Sequence, residues 1–125
     1  MAVRLRRAYE APQPDDGRRV LVERLWPRGV KKTDLRLDAW LKDLAPSDAL
    51  RRWFGHDPAR WDEFQRRYQE ELRSPDSQQL LAELAGQARD SNVTLVYSAR
   101  DEAHNNAIIL RDMIVERLGP RAPDA

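Results

Sequence analysis

Residues 93–106 read VTLVYSARDEAHNN, and this stretch decides the fold. Its first five residues are β-branched, aliphatic or aromatic, which predicts a short buried strand ending at Tyr97. Polar side chains crowd the positions that follow, and residues 107–118 are apolar again, which predicts a largely buried helix. In open α/β sheets, ligands bind where the end of a strand meets the start of a helix. The stretch therefore locates a candidate site.

The composition excludes several classes of function. The chain has 125 residues, of which 34% are charged and 41% hydrophobic, as expected of one folded domain. A net charge of +1 gives no general electrostatic case for nucleic acid or a membrane. The absence of cysteine excludes disulfides and thiolate nucleophiles, and two histidines are too few for a histidine-rich metal site. Asp101, His104 and Glu23 or Asp57 could in principle supply metal ligands, but no spacing motif supports such a site and no metal is predicted. Without a signal peptide or an apolar span, the expected location is the cytoplasm.

The remaining elements predict the fold class. Strands are expected at about residues 2–9 and 19–25, and residues 33–90 have helical spacing broken by prolines, serines and a glycine. We expect one α/β domain over residues 1–118, with a mostly parallel three-stranded sheet, about five flanking helices and a flexible tail at 119–125. The second and third strands can lie parallel and adjacent across the long helical crossover.

Four motifs resemble a known family. They are LVERLWPRG at 21–29, LAPS at 44–47, WFGHDP at 53–58 and the stretch 94–106. In this order they resemble the YeaO-like bacterial proteins, a domain of unknown function, over about residues 3–118. The resemblance implies a small cytoplasmic α/β domain with no established activity.

Larger relatives in the wider superfamily resemble this chain at two places, and the differences are informative. They carry an Asp-Val-Arg and proline pattern after a strand, where this chain has residues 23–27, with Glu23 in place of the usual Asp. They also carry a Cys-His-Arg cluster, where this chain has His104-Asn105-Asn106. Because the cysteine and the arginine are missing, thiol chemistry is not expected here.

His104 and Asp101 are the candidate catalytic residues. A histidine can act as a general acid or base near neutral pH, and a carboxylate can orient it. The alternative is structural: Asp101 caps the last helix and His104 covers its first turn. Ser98 completes a superficial triad with them, but the flanking residues YSAR lack the glycines of a nucleophile elbow, which argues against a hydrolase.

The candidate ligand-binding residues follow from their position at strand ends. Arginines can clamp a phosphate or carboxylate with paired hydrogen bonds, although pairing with nearby acidic residues is an equal alternative. Trp26 is expected at the mouth of the pocket, and His56 is included because its loop can reach a strand-end pocket. The full set is Arg24, Trp26, Arg28, His56, Ser98, Arg100 and Asn105.

Two functions from different classes remain open. The first is a strand-end pocket that binds a small anionic ligand, with acid–base chemistry by His104 as an addition. The second is a non-catalytic module that binds nucleic acid or protein, in which the basic stretch 3–7 with Arg18 and Arg19 would contact phosphates. A purely structural or assembly role is a third option. The sequence assigns no cofactor, oligomeric state or reaction.

Overall fold

The protein has an α/β fold built on a four-stranded parallel sheet. The computed structural model describes residues 2–119. The strands are β1 (Val3–Arg7), β2 (Arg18–Leu21), β3 (Ala39–Trp40) and β4 (Val93–Tyr97), in the spatial order β1-β4-β2-β3. Every neighbouring pair is parallel. The predicted α/β class and the parallel sheet are confirmed.

Strand β4 is central and buried along its whole length. It pairs with β1 on one side and with β2 on the other, where Val20 lies opposite Leu95 and Leu21 opposite Val96. The predicted parallel adjacency of β2 and β4 is therefore confirmed. As a consequence, the chain leaves both strands at the same edge of the sheet, and the segments after Leu21 and after Tyr97 lie side by side.

The prediction of three strands is wrong, because residues 39–40 form the short strand β3 rather than part of a helix. Helix α1 covers only Lys32–Leu35. Beyond it, the backbone N–H of Asp38 donates to Arg19 O and that of Leu41 to Leu21 O, both at 2.8 Å. Hydrogen bonding to a buried strand outweighs the helical spacing of the leucines in this segment, since strand formation depends more on neighbours than on local preference.

Four longer helices complete the fold, and with the short α1 they bring the number of helices among residues 2–119 to five, in agreement with the predicted number. They are α2 (Asp48–Phe54), α3 (Trp61–Glu71), α4 (Pro75–Asp90) and α5 (Asn106–Leu118). Ser47, Ser74 and Asn105 each cap a helix, accepting a hydrogen bond from the backbone N–H three residues later. Short 3₁₀ turns lie at Pro14–Asp16, Lys42–Leu44 and Pro58–Arg60.

The two faces of the sheet are covered unequally. Helices α2 to α5 pack with Val20, Leu95 and Tyr97 into the larger core. The other face carries Leu21 and Val96 under a small cluster that includes Leu35, Trp26 and Trp40. Among the described residues, no helix combines the length and apolarity needed to cross a membrane. The predicted tail begins at Gly119, and its remainder, 120–125, lies outside the described residues.

Candidate functional site

A cavity of about 620 Å³ opens at the edge of the sheet where β2 and β4 end. Its walls come from the segment after β2, the segment between β4 and α5, and residues of α2 and α3. All nine candidate residues line it: Arg24, Trp26, Arg28, His56, Ser98, Arg100, Asp101, His104 and Asn105. The structure thus brings the nine together, which sequence reasoning could only argue from strand order.

Hydrogen bonds to backbone carbonyls fix the loops that form this cavity. The Trp26 indole N–H donates to Val30 O at 2.6 Å, and the Tyr9 hydroxyl donates to Arg28 O at 3.1 Å. On the other side, the Arg7 guanidinium donates to Ala99 O at 2.9 Å. The walls are therefore held by side chains from β1, from the residues just after it and from the segment after β2, which favours a preformed pocket.

His104 is oriented by Asp101. The distance from His104 Nδ1 to Asp101 Oδ2 is 2.8 Å, and Asp101 Oδ1 accepts the backbone N–H groups of Ala103 and His104. The hydrogen bond from His104, helped by the one from Ala103, lowers the pKa of Asp101. The His104 ring also stands edge-on to Trp61, with centroids 5.3 Å apart. Asp101 does not cap α5, because Asn105 occupies that position.

The arginines around the cavity differ in how much of their hydrogen-bonding capacity is free. Arg24 Nε donates to Pro46 O and Nη2 to Ala45 O, so its guanidinium is largely engaged by the backbone. Arg28 and Arg100 are exposed, and neither side chain has an acceptor within hydrogen-bonding distance among residues 2–119. Arg51, from α2, has only a long pairing with Asp48 at 3.5 Å. The last three can turn toward an anion without breaking a short internal bond.

Glu23 is the carboxyl group in the wall of the cavity next to Ser98. It is half-buried, and its Oε1 accepts the backbone N–H of Ser98 at 3.4 Å. Burial raises the pKa of Glu23 to about 7, and the Ser98 hydrogen bond and the Arg51 charge offset that effect only in part. The Trp40 indole donates to Glu23 O at 2.6 Å, which fixes the backbone at this position.

The raised pKa predicts a pH-dependent stability. At Glu23 the folded protein binds a proton that the unfolded chain releases, so the stability contributed by this group is fully present below pH 4.5 and is lost as the pH rises through about 7. Each pKa unit is worth about 1.4 kcal/mol, and after allowing for solvent screening we expect a loss of about 2–3 kcal/mol. Urea unfolding at several pH values measures it.

Glu23→Gln is the control for that prediction. The amide keeps the size of the side chain and an acceptor for the Ser98 N–H, but it does not titrate. The variant should lose the fall in stability between about pH 5 and 7 and be the more stable protein at pH 8. An unchanged pH profile in the variant would assign the slope to other groups.

Sequence reasoning missed several residues of this cavity. Glu23 was not a candidate ligand-binding residue, although its place two residues after β2 was a usable signal. Arg51, Phe54 and Phe64 belong to helices whose apolar spacing indicates core packing, and nothing in the sequence points their side chains toward a strand end. Among residues 2–119, no group of three or more His, Asp or Glu side chains could hold a metal ion.

Comparison with known proteins identifies one family profile and several relatives. The profile, described as "Inactive DUF488-N3 subclade", matches residues 2–125. The chain is 47% identical to the uncharacterised protein Rv3073c of Mycobacterium tuberculosis over 112 residues, which cover 90% of this chain and 92% of the relative. It is 39% identical to the uncharacterised protein YeaO of Escherichia coli K12 over 114 residues, covering 91% and 97%. No solved structure matches.

Proposed function

Since the chain belongs to the inactive DUF488-N3 subclade, as the resemblance to YeaO-like proteins predicted, we propose that its strand-end cavity binds a small anionic ligand of the carboxylate or phosphate class. The observation that carries the proposal is the pair of exposed arginines, Arg28 and Arg100, at a pocket placed where parallel strands end. Binding, rather than conversion of the ligand, agrees with the family's description as inactive.

The charge around the cavity supports an anion. Its lining contains four arginines against two carboxyl groups, Glu23 and Asp101. Burial raises the pKa of Glu23 to about 7, so this group is mostly neutral in mildly acidic solution. The net charge of the lining is then more positive still. Guanidinium groups bind carboxylate and phosphate with two parallel hydrogen bonds, which gives both affinity and orientation.

The size and the walls of the cavity support a small molecule. Ligand pockets in proteins usually have volumes of about 300–1,000 Å³, and this cavity, at about 620 Å³, falls within that range. Phe54 and Phe64 stack with their centroids 4.3 Å apart and line the cavity together with Trp26. A ligand with an apolar body and an anionic group would use both kinds of wall.

In this proposal His104 would accept a hydrogen bond from a donor group of the ligand, while the arginines hold its anionic group. When Asp101 accepts the proton on Nδ1, Nε2 is the acceptor nitrogen of the neutral ring. The same arrangement would suit proton transfer, so acid–base chemistry by His104 is the catalytic form of the proposal. The family's description as inactive weighs against that form.

The alternative, a nucleic-acid-binding module, has less support. Four of the five arginines that would contact phosphates make internal bonds. Arg4 pairs with Asp15 at 2.6 Å, Arg6 and Arg19 both pair with Asp16, and Arg7 donates to Ala99 O. Arg19 is also buried, with 4% of its surface exposed. Contact with a nucleic acid would require breaking these pairs.

The proposal is tested by a thermal-shift screen with phosphates and carboxylates, followed by calorimetric titration of any compound that binds. Arg28→Ala and Arg100→Ala should each weaken binding about tenfold, or about 1.4 kcal/mol, because each removes a charged donor. Arg66→Ala is the matched control, since Arg66 is exposed but does not line the cavity. Equal loss in all three variants, or no binding by any phosphate or carboxylate, would contradict the proposal.

A further inference from the structure

The Glu23 side chain lacks a strong partner. The hydrogen bond that its Oε1 accepts from the Ser98 N–H is long, at 3.4 Å. The nearby cation, Arg51, lies within reach of Asp48 rather than bonded to Glu23. The carboxyl group nevertheless lines the cavity and is half-buried. Its other carboxyl oxygen has no hydrogen-bonding partner among residues 2–119 and is not sealed off from the cavity, so it is available to a group that enters there.

A partner for this oxygen can come from the cavity side. Pro46, Phe54 and Phe64 in the cavity lining are apolar and offer no donor, and Arg51 lies within reach of Asp48. A ligand could provide one. The group that satisfies a carboxylate best is a positively charged amine, because charge-assisted hydrogen bonds are about twice as strong as neutral ones.

We propose that Glu23 binds the ammonium group of a zwitterionic ligand, so that the cavity selects an amino acid with an apolar side chain over a simple organic acid. The inference rests on the proposed function, because Arg28 and Arg100 would hold the carboxylate of the same ligand. The aromatic walls would contact its side chain. Glu23 is then the specificity-determining residue, and the arginines bind any anion of suitable size.

Matched compounds test this directly. Calorimetric titration at about pH 8, where the carboxyl group of Glu23 is ionised, compares L-phenylalanine with 3-phenylpropionate, which lacks the amine, and with 2-phenylethylamine, which lacks the carboxylate. The native protein should bind L-phenylalanine at least tenfold more tightly than either. L-Leucine and 4-methylpentanoate repeat the comparison with an aliphatic body. Each of the two acids differs from its amino acid only in the amine, the group assigned to Glu23.

Glu23→Gln separates the inference from the underlying proposal. In this variant L-phenylalanine should bind less than about threefold more tightly than 3-phenylpropionate. The affinity for 3-phenylpropionate should change by less than about threefold from that of the native protein. Arg28→Ala should instead weaken both acids by a similar factor. Thermal unfolding of Glu23→Gln establishes that the variant is folded, and inorganic phosphate serves as a probe of the arginines alone.

The outcomes are distinguishable. If 3-phenylpropionate binds as tightly as L-phenylalanine, or if phosphate binds and neither amino acid does, the inference is overturned while the anion pocket remains. The same holds if Glu23→Gln keeps the full preference for the amino acid. If no acid and no phosphate binds the native protein, both the inference and the proposed function are wrong.

Discussion

Asp16→Asn is expected to destabilise the protein by about 3–5 kcal/mol, because it leaves a buried arginine without its counter-charge. Asp16 is 1% exposed. Its Oδ2 lies 2.6 Å from Arg19 Nη1, and its Oδ1 lies 3.0 Å from Arg6 Nη2. The backbone N–H of Gln13 donates to the same carboxylate. The cluster ties the turn before β2 to both β1 and β2.

The neighbouring pair provides a matched control. Asp15 makes an ion pair with Arg4 at 2.6 Å, but both side chains are more than a third exposed. Asp15→Asn should therefore cost much less stability than Asp16→Asn. Chemical denaturation of the two variants measures the difference. Similar losses in both would mean that the Asp16 cluster is no stronger than a surface pair.

The Asp16 cluster also predicts the behaviour at low pH. Burial alone would raise the pKa of Asp16, but the hydrogen bonds from Gln13, Arg6 and Arg19 outweigh it, and the pKa lies below 3.8. A carboxyl group whose pKa is lowered by folding contributes stability above its ordinary pKa and loses it as the pH falls further. The native protein should therefore lose stability below about pH 4, a loss that Asp16→Asn reduces.

Gly17→Ala is the second large effect, with an expected loss of about 3–5 kcal/mol and a fall in the melting temperature of more than about 10 °C. Gly17 has φ +65°, where L residues are strained. A Cβ at this position would also lie 2.1 Å from Asn92 O, which accepts the backbone N–H of Arg18 at 2.9 Å. The clash is with backbone that aligns β2 with β4, so it cannot be relieved by a rotamer change.

Gly29 separates the two causes. It has φ +80°, but no heavy atom lies within 4 Å of the position that its Cβ would take. Gly29→Ala therefore carries the conformational strain alone, and we expect a loss of about 1–2 kcal/mol. Differential scanning calorimetry of both variants measures the contrast. Equal losses would show that the approach of Asn92 to Gly17 has no energetic consequence.

The part of the fold predicted from sequence is the part set by local pattern. Trp61, Phe64, Tyr68 and Leu72 recur with helical spacing within the segment 33–90 that was predicted to be helical, and the last three are buried as expected of one inward face. The segment 93–97 and the helix after it were also predicted. In each case the apolar repeat has the period of the element itself, so burial and local preference agree.

The parts that sequence reasoning missed depend on distant residues. Strand β3 exists because Asp38 and Leu41 find partners on β2, about twenty residues earlier, and no local pattern contains that information. The same is true of the cavity. The predicted adjacency of β2 and β4 was enough to expect the segment of Arg24 and Arg28 beside that of His104. Arg51 and Phe54 instead reach the site because α2 packs into the core beside the sheet.

The most direct test of the anion pocket is an amide chemical-shift titration of the native protein with phosphate and with 3-phenylpropionate. We predict saturable shifts for Arg28, Ser98, Arg100 and residues 104–106, with a chloride titration as the control for ionic strength. The shifts should be lost in the Arg28→Ala, Arg100→Ala double variant. Absence of saturable shifts at millimolar concentrations, or shifts centred on β1 and its arginines, would contradict the account.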